Sequence, residues 1–237
     1  MSPEGNGILL ISADVRGLEV VTAAWLSNDQ VLRKEICDGV DIHGENQRAF
    51  NLPDRLTAKR FKFKMIYGGT APGFVEDPDL KITGFSRTKW EKVIEEYYAK
   101  YQGIAQWHQE IIAQVLSCGF LEIPSGRVFD YRALLKEKDW YYLPKIKNYP
   151  VQGFGADIVK IARISLWRRW NKDYGLLCNT IHDSIVLDIP SPMVYNISMV
   201  VNNVFADLPA NLSKQYQINW DLPLTAELKQ LNGEKVE

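Results

Sequence analysis

Cysteine is scarce in this sequence, and the three present are unpaired by any C-x-x-C spacing: Cys37, Cys118 and Cys178 lie far apart and are odd in number. That excludes a disulfide framework and a thiolate zinc site, and it suits buried thiols in a reduced cytoplasmic protein. Long apolar runs are missing as well. Nothing reaches the ~18 residues of a membrane-spanning helix, and the start, Met-Ser-Pro-Glu-Gly-Asn-Gly, has no signal-peptide pattern. The sequence therefore predicts a protein without membrane contact. Nor is there a surplus of positive charge: Lys+Arg 28 against Asp+Glu 29 leaves a formal charge of -1. A purely electrostatic nucleic-acid binder needs excess cations to replace phosphate counterions, so that class is disfavoured. A protein whose acidic metal ligands offset a local basic face passes the same test. No internal repeat or low-complexity tract occurs.

What is present is a chain of 237 residues, 46% hydrophobic, enough for one sizeable core or two small lobes sharing a hinge. Ile8 to Ala13 reads as a buried strand ending at Asp14, and Leu18 to Leu26 has helical spacing closed by Ser27-Asn28-Asp29. Asp54 is placed to cap a helix from Arg55 to about Tyr67, stopped by Gly68-Gly69. After a loop with two prolines and two glycines, helices are predicted over Arg87 to Tyr101 and Ile104 to Leu116. Phe120 to Val128, broken by Pro124-Ser125-Gly126, reads as a hairpin, and a long helix is predicted from about Val151 to Trp170. Leu176 to Ile181 and Ile185 to Ile189 flank His182-Asp183-Ser184 as two strands joined by a tight turn. An amphipathic helix over Met193 to Leu208 and a final strand or coil complete an α+β pattern, in which helices are inserted between two acidic strand ends.

Two features carry chemistry. Asp14 and Asp183 each end or interrupt an apolar strand, where an aspartate is ordinarily a solvated turn residue. Converging from distant parts of one sheet, the two carboxylates would offer the hard oxygens that a pair of Mg²⁺ ions requires. The second feature is the series Arg55, Lys59, Phe63 and Tyr67, spaced by four. At about 100° per residue each step turns only about 40°, so the four form one slowly drifting stripe. Cations suited to a triphosphate lead, and rings able to stack on a base or sugar follow. A basic amphipathic helix with Phe63 and Tyr67 in the core is the structural alternative.

The same residues resemble family A DNA polymerases. Arg55, Lys59, Phe63, Tyr67 and Gly68 match the motif B pattern R-x3-K-x3-F-x3-Y-G at every named position. Asp14-Val-Arg-Gly-Leu-Glu19 resembles motif A, D-Y-S-Q-I-E, and Ile181-His182-Asp183-Ser184 resembles motif C, V-H-D-E. Asp41-Ile42-His43 is similar to the family's D-I-H, and Asn148-Tyr-Pro-Val-Gln152-Gly153 to its N-x-P-x-Q-G, followed by Ala156-Asp157-Ile158. The matches run in the family's order across roughly residues 8–190.

The resemblance implies an antiparallel palm sheet with a helical fingers insertion: palm in 1–30, fingers in 31–147 and palm again in 148–237. It implies template-directed addition of dNTPs to a primer 3'-end on primer-template DNA, with two Mg²⁺ ions held by Asp14 and Asp183 and by the carbonyl of Val15. Arg55, Lys59 and His43 would grip the triphosphate, with Lys59 neutralising or protonating the leaving pyrophosphate. Phe63 would pack on the incoming nucleotide, Tyr67 would stand near the templating base, and Glu19 would bar a 2'-hydroxyl. Asn148 and Gln152 would meet minor-groove acceptors, which are alike for every base pair. His182 would support the primer terminus. Arg127 has two equal readings, a phosphate contact and a solvated turn residue.

Departures are visible too. Val15, Arg16, Gly17 and Val21 replace motif A residues, and Ser184 stands where glutamate is usual. The family's thumb and upstream palm precede motif A, and only seven residues stand before Ile8, so a second polypeptide supplying those parts is expected. Two other classes compete: a noncatalytic DNA-binding remnant of the fold, and a two-metal phosphohydrolase, which leaves the Arg55–Tyr67 stripe unexplained.

Overall fold

β1 (Ile8–Val15) leads into α1 (Leu18–Ser27), α2 (Gln30–Cys37), α3 (Ile42–Ala49) and α4 (Arg55–Ile66). α5 (Ala71–Glu76), α6 (Arg87–Lys100) and α7 (Gln102–Cys118) follow, and then a short hairpin, β2 (Phe120–Glu122) and β3 (Val128–Asp130). The long α8 (Tyr142–Arg169) precedes a second hairpin, β4 (Leu176–Ile181) and β5 (Ser184–Pro190). α9 (Val194–Tyr216) and β6 (Ala226–Gln230) end the described chain. The computed structural model describes residues 7–136 and 142–230. The outer ends of the two expected palm segments, 1–6 and 231–237, and 137–141 of the expected insertion lie outside the described residues. The fold is α+β, divided into two units: Met1–Leu18 with Phe154–Glu237, and Glu19–Gly153.

The first unit is built on an antiparallel sheet of order β4-β5-β1-β6. β5 buries Ile185, Val186, Leu187 and Ile189, so this inner strand has buried apolar residues on both faces, interrupted by the part-exposed Asp188. α9 buries Ile197, Val201, Val204, Phe205, Leu208 and Leu212, a single stripe at helical spacing.

The second unit holds an aromatic core. Phe61 of α4 is fully buried, stacked on Trp90 at 5.7 Å between ring centroids and edge-on to Phe74 and Tyr97. Such pairs add about 0.5–1.5 kcal/mol each beyond area burial. Asp29 organises the unit from a different place: its carboxylate caps α2 through the Leu32 amide (2.8 Å) and accepts from Gly103 (2.8 Å) and Ile104 (3.3 Å) at the start of α7. Gly103 has to be glycine, because a Cβ there would lie 2.5 Å from the Asp29 Cα.

Several expectations are corrected. The cysteines are exposed, all three, not buried. Asp29 does not close α1; it opens α2. Both α2 and α3 occupy a stretch for which the sequence predicted no element, and α5 lies in the segment read as a loop. α8 starts well before Val151 and runs through Pro150, and α9 continues past Leu208 through Pro209. A proline lacks only its own amide and clashes with one upstream carbonyl, so a helix packed along its length can absorb one. No helix among the described residues is long and apolar enough to cross a membrane.

Candidate functional site

In the sheet unit, the β1–β5 register sets Asp14 opposite Ser184, and the Val15 amide donates to the Asp183 carbonyl at 3.2 Å. Asp14 on β1 is thus a backbone neighbour of Asp183, which lies in the turn immediately before β5. His182 turns the chain between β4 and β5 with φ +53°, and both it and Asp183 are exposed. Asp14 is half-buried and already engaged. The Ser184 hydroxyl donates to its Oδ1, and Lys229 Nζ lies 3.6 Å from its Oδ2. Glu227 holds the same ammonium at 2.9 Å, and this hydrogen bond, with a smaller contribution from Asp14, keeps the lysine above its ordinary pKa. Two aspartates and a backbone carbonyl fit a hard divalent cation in kind. Among the described residues no group of three or more His, Cys, Asp or Glu is placed to hold a metal ion.

In the helical unit, α4 presents the stripe. The Asp54 side chain accepts from the Thr57 amide at 2.8 Å, and Gly68 follows the helix at φ +74°, a conformation open to glycine and strained for other residues. Thr57, Ala58, Phe61, Lys62, Met65 and Ile66 form the buried side, whereas Arg55 and Lys59 are exposed and Phe63 and Tyr67 half-buried. The alternative that places Phe63 and Tyr67 in the core is therefore set aside, since Phe61 and Met65 take that place.

Arg55 makes a two-pronged pair with Asp41 of the D-I-H segment, Nε to Oδ2 and Nη2 to Oδ1 both at 2.8 Å. The guanidinium holds the Asp41 carboxyl down to about 2. His43, whose ring centroid is 6.1 Å from that of Phe63, is pushed down to about 4, first by burial and then by the cations Lys62, Arg55 and Lys59. Its imidazole is neutral at neutral pH, and its buried Nδ1 has no hydrogen-bond partner. An anion arriving here would supply the missing partner and favour protonation.

Glu19, Tyr67 and Gln152 meet at one point. The Tyr67 hydroxyl donates to Glu19 Oε1 at 2.7 Å, and the Gln152 amide donates to the same oxygen at 2.6 Å. Burial first, and then the Glu19 bond, raise the Tyr67 pKa, so the phenol stays protonated. Asn148 lies half-buried one turn before Gln152 on α8, and Arg127 is exposed just after the β2–β3 turn.

Two groupings result within the helical unit, His43 with Arg55 and Phe63, and Glu19 with Tyr67 and Gln152. Lys59 stands on α4 between Arg55 and Phe63, about one turn from either, and about two turns before Tyr67. The sheet unit gathers Asp14, Val15, His182 and Asp183. Sequence reasoning missed Asp41 as the partner of Arg55, Ser184 as a donor to Asp14, and Glu227 and Lys229 altogether. The one signal for that last pair is the alternation Ala226-Glu-Leu-Lys-Gln230, which puts both on one strand face.

A family model described as DNA polymerase family A matches residues 1–230. DNA polymerase I of Lactococcus lactis is 29% identical over 84% of this chain, which covers 24% of that protein. The thermostable DNA polymerase I of Thermus filiformis is 27% identical over 94% of the chain and 26% of its own length. The DNA polymerase of Bacillus phage SP01 is 25% identical over 95% of the chain and 26% of its own length. This chain thus spans about a quarter of these relatives, 24–26%. The POL domain of Pol1 from M. smegmatis, in complex with DNA primer-template and dNTP, shares the fold at TM-score 0.76 and 22% identity. That superposition covers 98% of this chain and 40% of the other. None of these resemblances supports the expected second polypeptide.

Proposed function

The chain belongs to DNA polymerase family A, and from that premise we propose that it carries the catalytic part of a template-directed DNA polymerase, extending a primer 3'-end with dNTPs. The two units correspond to palm (sheet) and fingers (helices). The observation that carries the reading is the β1–β5 register, which pairs Asp14 with Ser184 and so brings Asp183, in the turn just before β5, beside the end of β1. These two, with the Val15 carbonyl, would hold two Mg²⁺ ions. When bound, such ions supply Lewis-acid stabilisation of the charge that builds on the attacking and leaving oxygens.

The chain's own residues do the remaining work. Arg55 and Lys59 hold the triphosphate, and Arg55 exchanges its carboxylate partner Asp41 for phosphate oxygens of like geometry. Lys59 neutralises or protonates the leaving pyrophosphate. His43 donates to the triphosphate from its buried site. Phe63 packs on the sugar and base, Tyr67 closes the end of the pocket, and Glu19 occupies the space of a 2'-hydroxyl. Gln152 and Asn148 meet minor-groove acceptors, and His182 supports the primer terminus. Arg127 is assigned to a backbone phosphate.

One observation favours a second reading, a noncatalytic DNA-binding subunit: both Asp14 oxygens are taken by Ser184 and Lys229. Magnesium-dependent dNTP binding separates the two. The catalytic reading expects binding that is lost in Asp14→Asn; the noncatalytic one expects no metal dependence in either protein.

A further inference from the structure

The surroundings of Asp14 contain a cation that the proposed chemistry does not use. β6 pairs with β1 so that Glu227 is opposite Asp14 and Lys229 is opposite Ser12. Opposed residues share a sheet face, and alternate residues along a strand return to it. Ser12, Asp14, Ser184, Glu227 and Lys229 therefore lie on one face across three strands. Lys229 Nζ sits between two carboxylates, 2.9 Å from Glu227 Oε2 and 3.6 Å from Asp14 Oδ2, with Ser184 on the other Asp14 oxygen.

An ammonium is a compact charge on a flexible stem, so it can lean toward either carboxylate. A divalent ion that takes Asp14 Oδ2 meets that like charge, unless the lysine shifts fully to Glu227. We propose that Lys229 is a positioning residue that competes with divalent cations for Asp14 and so sets how tightly the site takes a metal, with Glu227 as its alternative anchor. The proposal rests on the reading of Asp14 as a metal ligand. Its consequence is a raised metal requirement: the carboxylate is oriented in advance, at the expense of affinity for the ion.

The test is titration of the full chain with Mn²⁺ alone, following free Mn²⁺ by its EPR signal, for the native protein and for Lys229→Met, Lys229→Gln, Lys229→Arg and Asp14→Asn. With the cation removed at a part-exposed site, the two neutral variants are expected to bind Mn²⁺ about fivefold more tightly. Lys229→Arg keeps the charge and is expected to match the native protein, which a merely structural role would not require. Two neutral variants are included so that one that fails to fold, as judged by circular dichroism, does not decide the matter. If the neutral variants bind no more tightly while Asp14→Asn loses binding, the lysine proposal is overturned and the metal reading stands. If Asp14→Asn binds as well as the native protein, the metal reading itself fails.

Discussion

The Tyr67 hydroxyl donates to Glu19 at 2.7 Å, and Gln152 fastens the same carboxylate oxygen from α8 at 2.6 Å. Two donors on one oxygen hold the glutamate side chain in place. A residue meant to exclude a hydroxyl by bulk has to be held in this way, since a mobile side chain yields to the substrate instead of rejecting it.

Glu19→Ala is expected to raise ribonucleotide incorporation relative to deoxynucleotide by at least about tenfold, as removal of a steric block does. Tyr67→Phe keeps the ring, loses one of the two donors, and is expected to fall between. The ratio of kcat/KM for the two nucleotide classes reads this. An unchanged ratio in Glu19→Ala removes the gate assignment.

Phe63 offers a bare phenyl edge beside His43, with no hydroxyl to stand in for a missing 3'-OH. Discrimination against dideoxynucleotides is expected, and Phe63→Tyr is expected to reduce it by about tenfold or more, the scale on which an added polar contact changes selectivity. Chain-termination assays at varied ddNTP:dNTP ratios test this, and equal termination by both proteins would mean that the ring does not face the sugar.

Asp29 is 1% exposed and satisfies amides of two helices that are distant in sequence. Asp29→Ala leaves those amides without an acceptor and is expected to cost about 2–4 kcal/mol, the sum of two lost caps. Asp29→Asn keeps one acceptor oxygen and should cost less. Denaturant unfolding of the three proteins gives the comparison; a loss below 1 kcal/mol in the alanine variant would place the two helix starts in other hands.

Lys62 is fully buried with no hydrogen-bond partner, its Nζ 4.5 Å from the Tyr101 ring centroid. Burial above all pushes it down to about 7 from 10.5, with Glu35 and Asp29 opposing the shift and Lys100 adding to it. Between those two values the unfolded chain holds a proton that the folded lysine has given up, so stability rises with pH across that window. Lys62→Met lacks this dependence. Its Tm is expected to exceed that of the native protein most at pH 7 or below, with the difference shrinking steadily toward pH 9. A constant difference would show that Lys62 titrates normally.

Local patterns were the legible ones. The α4 stripe, its Asp54 cap and its glycine stop all lie within a few turns of chain, and so could be read from spacing. β1 and β5 stood out because inner strands are apolar along most of their length, whereas β4, at the sheet edge, showed only as a weaker run. Prolines misled where packing outweighed them: Pro150 and Pro209 look like boundaries and lie inside helices. Asp29 was misread because an aspartate after a helix is equally a cap for the next one. The contacts that shape the site were not legible at all. Arg55 to Asp41, Gln152 to Glu19 and Lys229 to Asp14 depend on tertiary placement, which no local period encodes. What identified their chemistry beforehand was family resemblance, and that resemblance had nothing to say of Lys229.

Primer extension with Mg²⁺ and four dNTPs, comparing the native chain with Asp183→Asn, tests the central claim most directly. The expected result is template-directed extension that falls by at least about a thousandfold in the variant, as loss of a metal-holding carboxylate entails. Equal extension by both proteins, or none by the native chain, would contradict it.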